Sequence, residues 1–152
     1  MPAAETLLAL HQWRSIYKAR MYLTVNTTTT VANTGIQVPF DTISYDPNGN
    51  LTLGATANYT VPVAGYYSVN GRAALSNSSH RTFPFIVVNG SDTHRGQDEV
   101  GVGGICNGVV KVNASDVISF GMWCDTSGLG FDQAGGLQAV INFMCVHLLA
   151  PL

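Results

Sequence analysis

Two His-Arg pairs, His80-Arg81 and His94-Arg95, and five acids, Asp92, Asp98, Glu99, Asp125 and Asp132, are the side chains of this sequence best suited to chemistry. A hydrolytic site needs a nucleophile with a base in reach, or two carboxylates sharing a pocket. No serine stands in a Gly-x-Ser-x-Gly elbow, and the His-Arg pairs fall in loops or at strand edges. The acids lie in loop segments that could face a calcium ion. Their spacing matches no Asp-x-Asp-x-Asp-Gly loop, so each reads as a solvated turn. Cys106, Cys124 and Cys145 are odd in number and include no Cys-x-x-Cys pair, which signals neither a disulfide framework nor a zinc ligand set; they read as buried thiols. No helix is expected after Gly101-Val-Gly-Gly104 or Gly135-Gly136, so these are turns rather than phosphate loops. The expectation is a protein that is not an enzyme and uses no metal or cofactor.

The elements around these residues point to binding. With 152 residues and 46% hydrophobic content the chain can bury one core. Only 11% of residues are charged, against roughly 25% in an average globular protein. Charge is depleted where proteins pack against each other, so a neutral surface suits a chain that meets copies of itself or other proteins. A formal net charge of -2 argues against a nucleic-acid partner, which calls for a basic face. No run approaches the roughly 18 apolar residues of a membrane-spanning helix, so no membrane partner is expected. The start, Met-Pro-Ala-Ala-Glu, is acidic and its apolar run is short, unlike a signal peptide, and a reducing cytoplasm is expected. The sequons at Asn26, Asn50, Asn58, Asn77, Asn89 and Asn113 then read as accidents of an Asn/Thr-rich composition.

Residues 1–17 read as an N-terminal arm, partly helical or extended, with Leu7, Leu10, Trp13, Arg14 and Tyr17 as the residues that would dock it on a partner. From residue 18 to 152, β-branched and aromatic runs alternate with Gly, Asn, Asp and Pro clusters, the pattern of an all-β sandwich. Asp46-Pro-Asn-Gly49, Asn89-Gly90 and Asn113-Ala-Ser-Asp116 carry turn chemistry. Tyr59-Thr-Val-Pro-Val-Ala-Gly-Tyr-Tyr-Ser-Val69 reads as a hairpin, its turn defined by Pro62, which cannot donate to a ladder, and by Gly65, expected at positive φ. The run Ala139–Leu149 is nearly continuous apolar, as in a strand covered on both faces by the core or by another subunit.

Val38-Pro-Phe-Asp, Tyr45-Asp-Pro-Asn-Gly, the Tyr59–Val69 segment, Val109-Val-Lys-Val-Asn-Ala-Ser-Asp-Val-Ile-Ser and Phe143-Met-Cys-Val-His-Leu-Leu, in that order, resemble the complement globular-head and tumour-necrosis-factor-like jelly roll, in its bacteriophage virion-protein form. The resemblance covers about residues 18 to 149. It implies a ten-strand jelly-roll sandwich assembling as a homotrimer, with Tyr67, Phe120, Trp123 and Phe143 as trimer or core contacts. The function it implies is structural: a capsid decoration or cement protein of the virion, assembled in the host cytoplasm and docked on the major capsid protein or another virion protein. A tail-fibre tip is the alternative, with the loops Ser76–Arg81 and Asp125–Asp132 meeting a host glycan or protein through exposed His80, Arg81 and Phe131. A secreted cytokine-like trimeric ligand is the second alternative.

Overall fold

A computed structural model of the chain describes residues 17–25, 29–76, 79–101, 103–131 and 141–152, without the Glu99 side chain. Residues 1–16 of the expected arm, and with them Leu7, Leu10, Trp13 and Arg14, lie outside the described residues, as do Asn26, Asn77, Asp132, Gly135 and Gly136.

The described residues form twelve strands: β1 (Lys18–Tyr22), β2 (Thr34–Gln37), β3 (Thr42–Tyr45), β4 (Leu51–Thr52), β5 (Asn58–Thr60), β6 (Gly65–Ala74), β7 (Arg81–Val88), β8 (Ser91–Arg95), β9 (Glu99–Val100), β10 (Gly103–Val112), β11 (Val117–Cys124) and β12 (Phe143–Pro151). Setting aside the two-residue strands β4 and β9 leaves the expected ten. They make two antiparallel sheets. One has the order β10-β6-β12-β1-β3; the other has β4-β5-β11-β7-β8, with β2 on β11 and β9 on β7. Strand alternation puts Ala19, Met21, Tyr67, Val69, Met144, Val146 and Leu148 of the first sheet against Ile86, Ile118, Phe120 and Met122 of the second, all buried. Phe120 lies over Gly71, where any Cβ would collide with its ring, so glycine is required at this inter-sheet contact.

The segment Tyr59–Val69 is not a hairpin. β5 belongs to the seven-stranded sheet and β6 to the five-stranded one, and Pro62–Ala64 carries the chain between them. Tyr59 and Tyr67 therefore meet inside the core, ring centroids 6.0 Å apart. The Tyr67 hydroxyl donates to the Val63 carbonyl at 2.9 Å, which ties the crossover to the core. Gly65 is also not at positive φ. Glycine is needed there because a Cβ would stand 2.6 Å from the Ala150 carbonyl oxygen and 2.6 Å from Leu148 Cδ1, where β12 crosses close by. Gly103 and Gly104, expected in a flexible turn, instead open β10 opposite Ala74 and Ala73.

The turns fare better. Asn89 (φ 51°) and Gly90 (φ 80°) make the tight β7–β8 turn, both residues left-handed as a primed hairpin turn requires. Asp116 accepts the Asn89 side-chain amide at 2.7 Å and the Asn113 backbone amide at 2.7 Å, so two turns at this end of the sandwich lock together. Those two bonds, Asn89's first, hold its carboxyl below the ordinary carboxylate value.

Candidate functional site

On the outward face of the five-stranded sheet, strand register fixes the rows. Tyr22, Phe143, Arg72 and Ile105 lie side by side across β1, β12, β6 and β10. The next row runs Tyr45, Arg20, Cys145, Asn70, Asn107, and the third Lys18, His147, Ser68, Val109. Ile105, Val109, Tyr66 and Tyr45 stand 56%, 51%, 41% and 40% exposed. Lys18 sits 5.7 Å from the Tyr45 ring, and Arg20 sits 5.2 Å from the Phe143 ring and 5.9 Å from that of Tyr22. The five strands carry Lys18, Arg20, Arg72 and Lys111, and no Asp or Glu.

Cys145 sits half-buried in the middle of this face rather than in the core with Cys106 and Cys124. Burial pushes its thiol up, against the opposing pull of neighbouring Arg20, so it stays protonated and a poor nucleophile. Burial likewise raises Tyr45, with Cys145 adding to the effect. Tyr17, the one described residue of the arm, packs against the core edge, and its carbonyl accepts the Leu148 amide at 2.9 Å. The arm thus joins the fold beside the C-terminal half of β12, at one end of the same sheet.

Of the four residues expected as trimer or core contacts, Tyr67 and Phe120 are fully buried within the chain. Phe143 faces outward on the five-stranded sheet, in the row with Tyr22 and Arg72. Trp123 is not in the core: it lies on the outward face of the seven-stranded sheet, stacked on Phe83 with centroids 5.0 Å apart. The outward Phe83, Phe85 and Gln37 beside it are missing from the sequence reading. For Phe83 and Phe85 the signal is β7 itself, apolar on both faces from Phe83 to Val88, the pattern of a strand with a covered outer side.

The two loops at the far end do come together. Ser76 donates to the Gly130 carbonyl at 2.9 Å, Arg81 donates its amide to Asp125 at 3.1 Å, and His80 Nδ1 lies 3.3 Å from Asp125 Oδ1. Phe131, expected to be exposed, is only 2% exposed because it bridges to Leu75 and enters the core. Arg81 holds Asp98 through two bonds that keep its carboxyl low, and Arg95 pairs with Asp92 at 3.2 Å. Their carboxylates are thus engaged by arginine, as those of solvated turns can be. No group of three or more His, Cys, Asp or Glu gathers among the described residues.

A comparison with protein-family models found no match, nor did one with curated proteins. Solved structures do match. The globular domain of zebrafish complement 1qA aligns with a TM-score of 0.59 at 13% identity, covering 89% of this chain and 98% of that one. Murine APRIL aligns at 0.62 and 12%, covering 87% and 98%. Eiger TNF from S. frugiperda aligns at 0.57 and 12%, covering 89% and 93%. The fold is therefore the complement 1q and TNF-like jelly roll.

Proposed function

We propose that the chain is a homotrimeric, non-catalytic structural protein of a bacteriophage virion, a decoration or cement protein that docks on the major capsid protein through residues 1–17. The observation that carries this reading is the outward face of the five-stranded sheet. Aromatic rings, exposed aliphatics and arginine, in strands that carry no Asp or Glu, are the composition of an interface core. Set against its own copy across a two-fold axis, the face would bring Lys18, Arg20, Arg72 and Lys111 against like charge, at a cost. It suits a contact with a different surface of the neighbour, which closes into a ring where the rotation between neighbours allows. A ring of three and a phage particle are what the sequence resemblance implies. Tyr17 joins the first sheet through the bond from the Leu148 amide to its carbonyl, and on this reading the residues before it reach the shell.

The test is truncation of residues 1–17 followed by mixing with undecorated heads: the trimer is expected to survive and particle binding to disappear. Binding that persists without the arm would overturn its docking role. Two other readings each have an observation behind them. The converging Ser76–Arg81 and Asp125–Phe131 loops suit a fibre tip, which labelled antibody would find at the tail rather than over the head. The likeness to complement 1qA, APRIL and Eiger TNF suits a secreted, cytokine-like trimeric ligand equally well.

A further inference from the structure

The outward face of the seven-stranded sheet holds a groove of about 460 Å³, within the ~300–1,000 Å³ range of small-molecule sites. It is cut by two glycines. A Cβ on Gly35 would lie 2.7 Å from the end of the Phe85 ring, and one on Gly121 would collide with the same ring, so Phe85 lies down on the sheet and forms a flat floor. Trp123, opposite Gly35 in the ladder, and Phe83 stack side by side as a wall, with interplanar angle 10°. Arg95 caps the Phe83 ring at 5.1 Å. Three planar polar groups share the groove: the Gln37 amide, the Asp92 carboxylate and the Arg95 guanidinium. Gln37 is oriented by its bond from Nε2 to Ser119 Oγ at 2.9 Å.

We propose that this groove is a binding site for a neutral pyranoside. A pyranose ring offers an apolar C–H face and a rim of hydroxyls, which are the two things the groove can meet. The face packs on aromatic rings, and hydroxyl pairs bond to carboxylate, guanidinium and amide. Charge decides against an anion: Arg95 is matched by Asp92 at 3.2 Å, so no net positive charge awaits a phosphate or carboxylate. The site is separate from the loops at the sandwich end and does not depend on the virion reading.

The chain has two tryptophans, so proton–nitrogen correlation spectra show two indole signals, and Trp123→Phe assigns them. The full chain is titrated with the methyl glycosides of glucose, galactose, mannose and N-acetylglucosamine, then with adenosine and inorganic phosphate. At least one glycoside is expected to shift the Trp123 indole saturably at millimolar concentration. Gln37→Ala and Trp123→Ala are each expected to weaken that binding about tenfold. Gln37 is partly exposed at the rim, so its variant remains readable even if Trp123→Ala misfolds. The proposal is overturned if no glycoside moves the indole, if only adenosine or phosphate does, or if Gln37→Ala binds as tightly as the parent.

Discussion

The two outward faces of this sandwich are built from similar residue types and differ in how charge is matched. On the five-stranded sheet, aromatic rings alternate with Lys18, Arg20 and Arg72, and no carboxylate stands in any of its strands. On the seven-stranded sheet, Phe85 is sunk over Gly35 and Gly121, Phe83 stacks on Trp123, and Arg95 is matched by Asp92. A sandwich needs only its inner faces to be apolar, so aromatics on both outer faces are what the two proposals rest on. Charge matching is what separates them. A broad cationic face calls for a protein surface of other chemistry, while a narrow, charge-balanced groove calls for a small neutral ligand.

The largest expected effect comes from the core that both faces share. Phe120→Ala removes the ring that lies over Gly71 and should cost about 3–5 kcal/mol in urea unfolding, taking both faces with it. A loss below about 1 kcal/mol would mean the sheets do not lean on this contact. Charge reversal separates the faces. Lys18→Glu with Arg72→Glu should leave the fold intact and weaken the trimer by about 2 kcal/mol or more per contact, seen as monomer by light scattering. An unchanged trimer would move the interface elsewhere. Trp123→Ala sharpens the contrast from the other side: it should cost less than Phe120→Ala, about 0.5–1.5 kcal/mol for the aromatic stack with Phe83 plus the partial burial of the ring, and leave the native mass untouched.

The smallest effect is a pH dependence at Asp41, which belongs to neither face. Burial works against its charged form, but bonds from the Val25 and Thr24 amides, at 2.7 and 2.8 Å, and from the Thr42 and Thr24 hydroxyls outweigh it, so its carboxyl is held low. A folded-state value below the unfolded one stabilises the fold above the unfolded value of 3.8, and that contribution is lost as pH falls through the lowered value. The urea midpoint should therefore drop between about pH 5 and pH 3, less so in Asp41→Asn. Equal slopes in the two proteins would show that other groups carry the acid sensitivity.

Much of the strand pattern is legible in the sequence because period-two alternation and turn chemistry are local. β11 is read at both ends as Val117–Cys124, and the Asn89-Gly90 and Asn113–Asp116 turns form as their residues dictate. What is not local is which sheet a strand joins. Proline and glycine at Pro62 and Gly65 announce a reversal, and a crossover between sheets uses the same residues as a hairpin. Gly65 is required by the approach of Ala150, some eighty-five residues away, which no local pattern reveals. Trp123 and Phe120 sit three apart on one strand and so face opposite ways, one to solvent and one to the core. The groove was hidden for the same reason: Gly35, Phe85 and Gly121 come from three strands that only the fold brings together.

The central claim is that the cationic aromatic face closes a ring of three subunits. Light scattering of the purified full chain on a sizing column tests it most directly, run beside the Lys18→Glu, Arg72→Glu variant. The account predicts a mass of three chains for the parent and one for the variant. A monomeric parent at micromolar concentration, or a variant that stays trimeric, would contradict it.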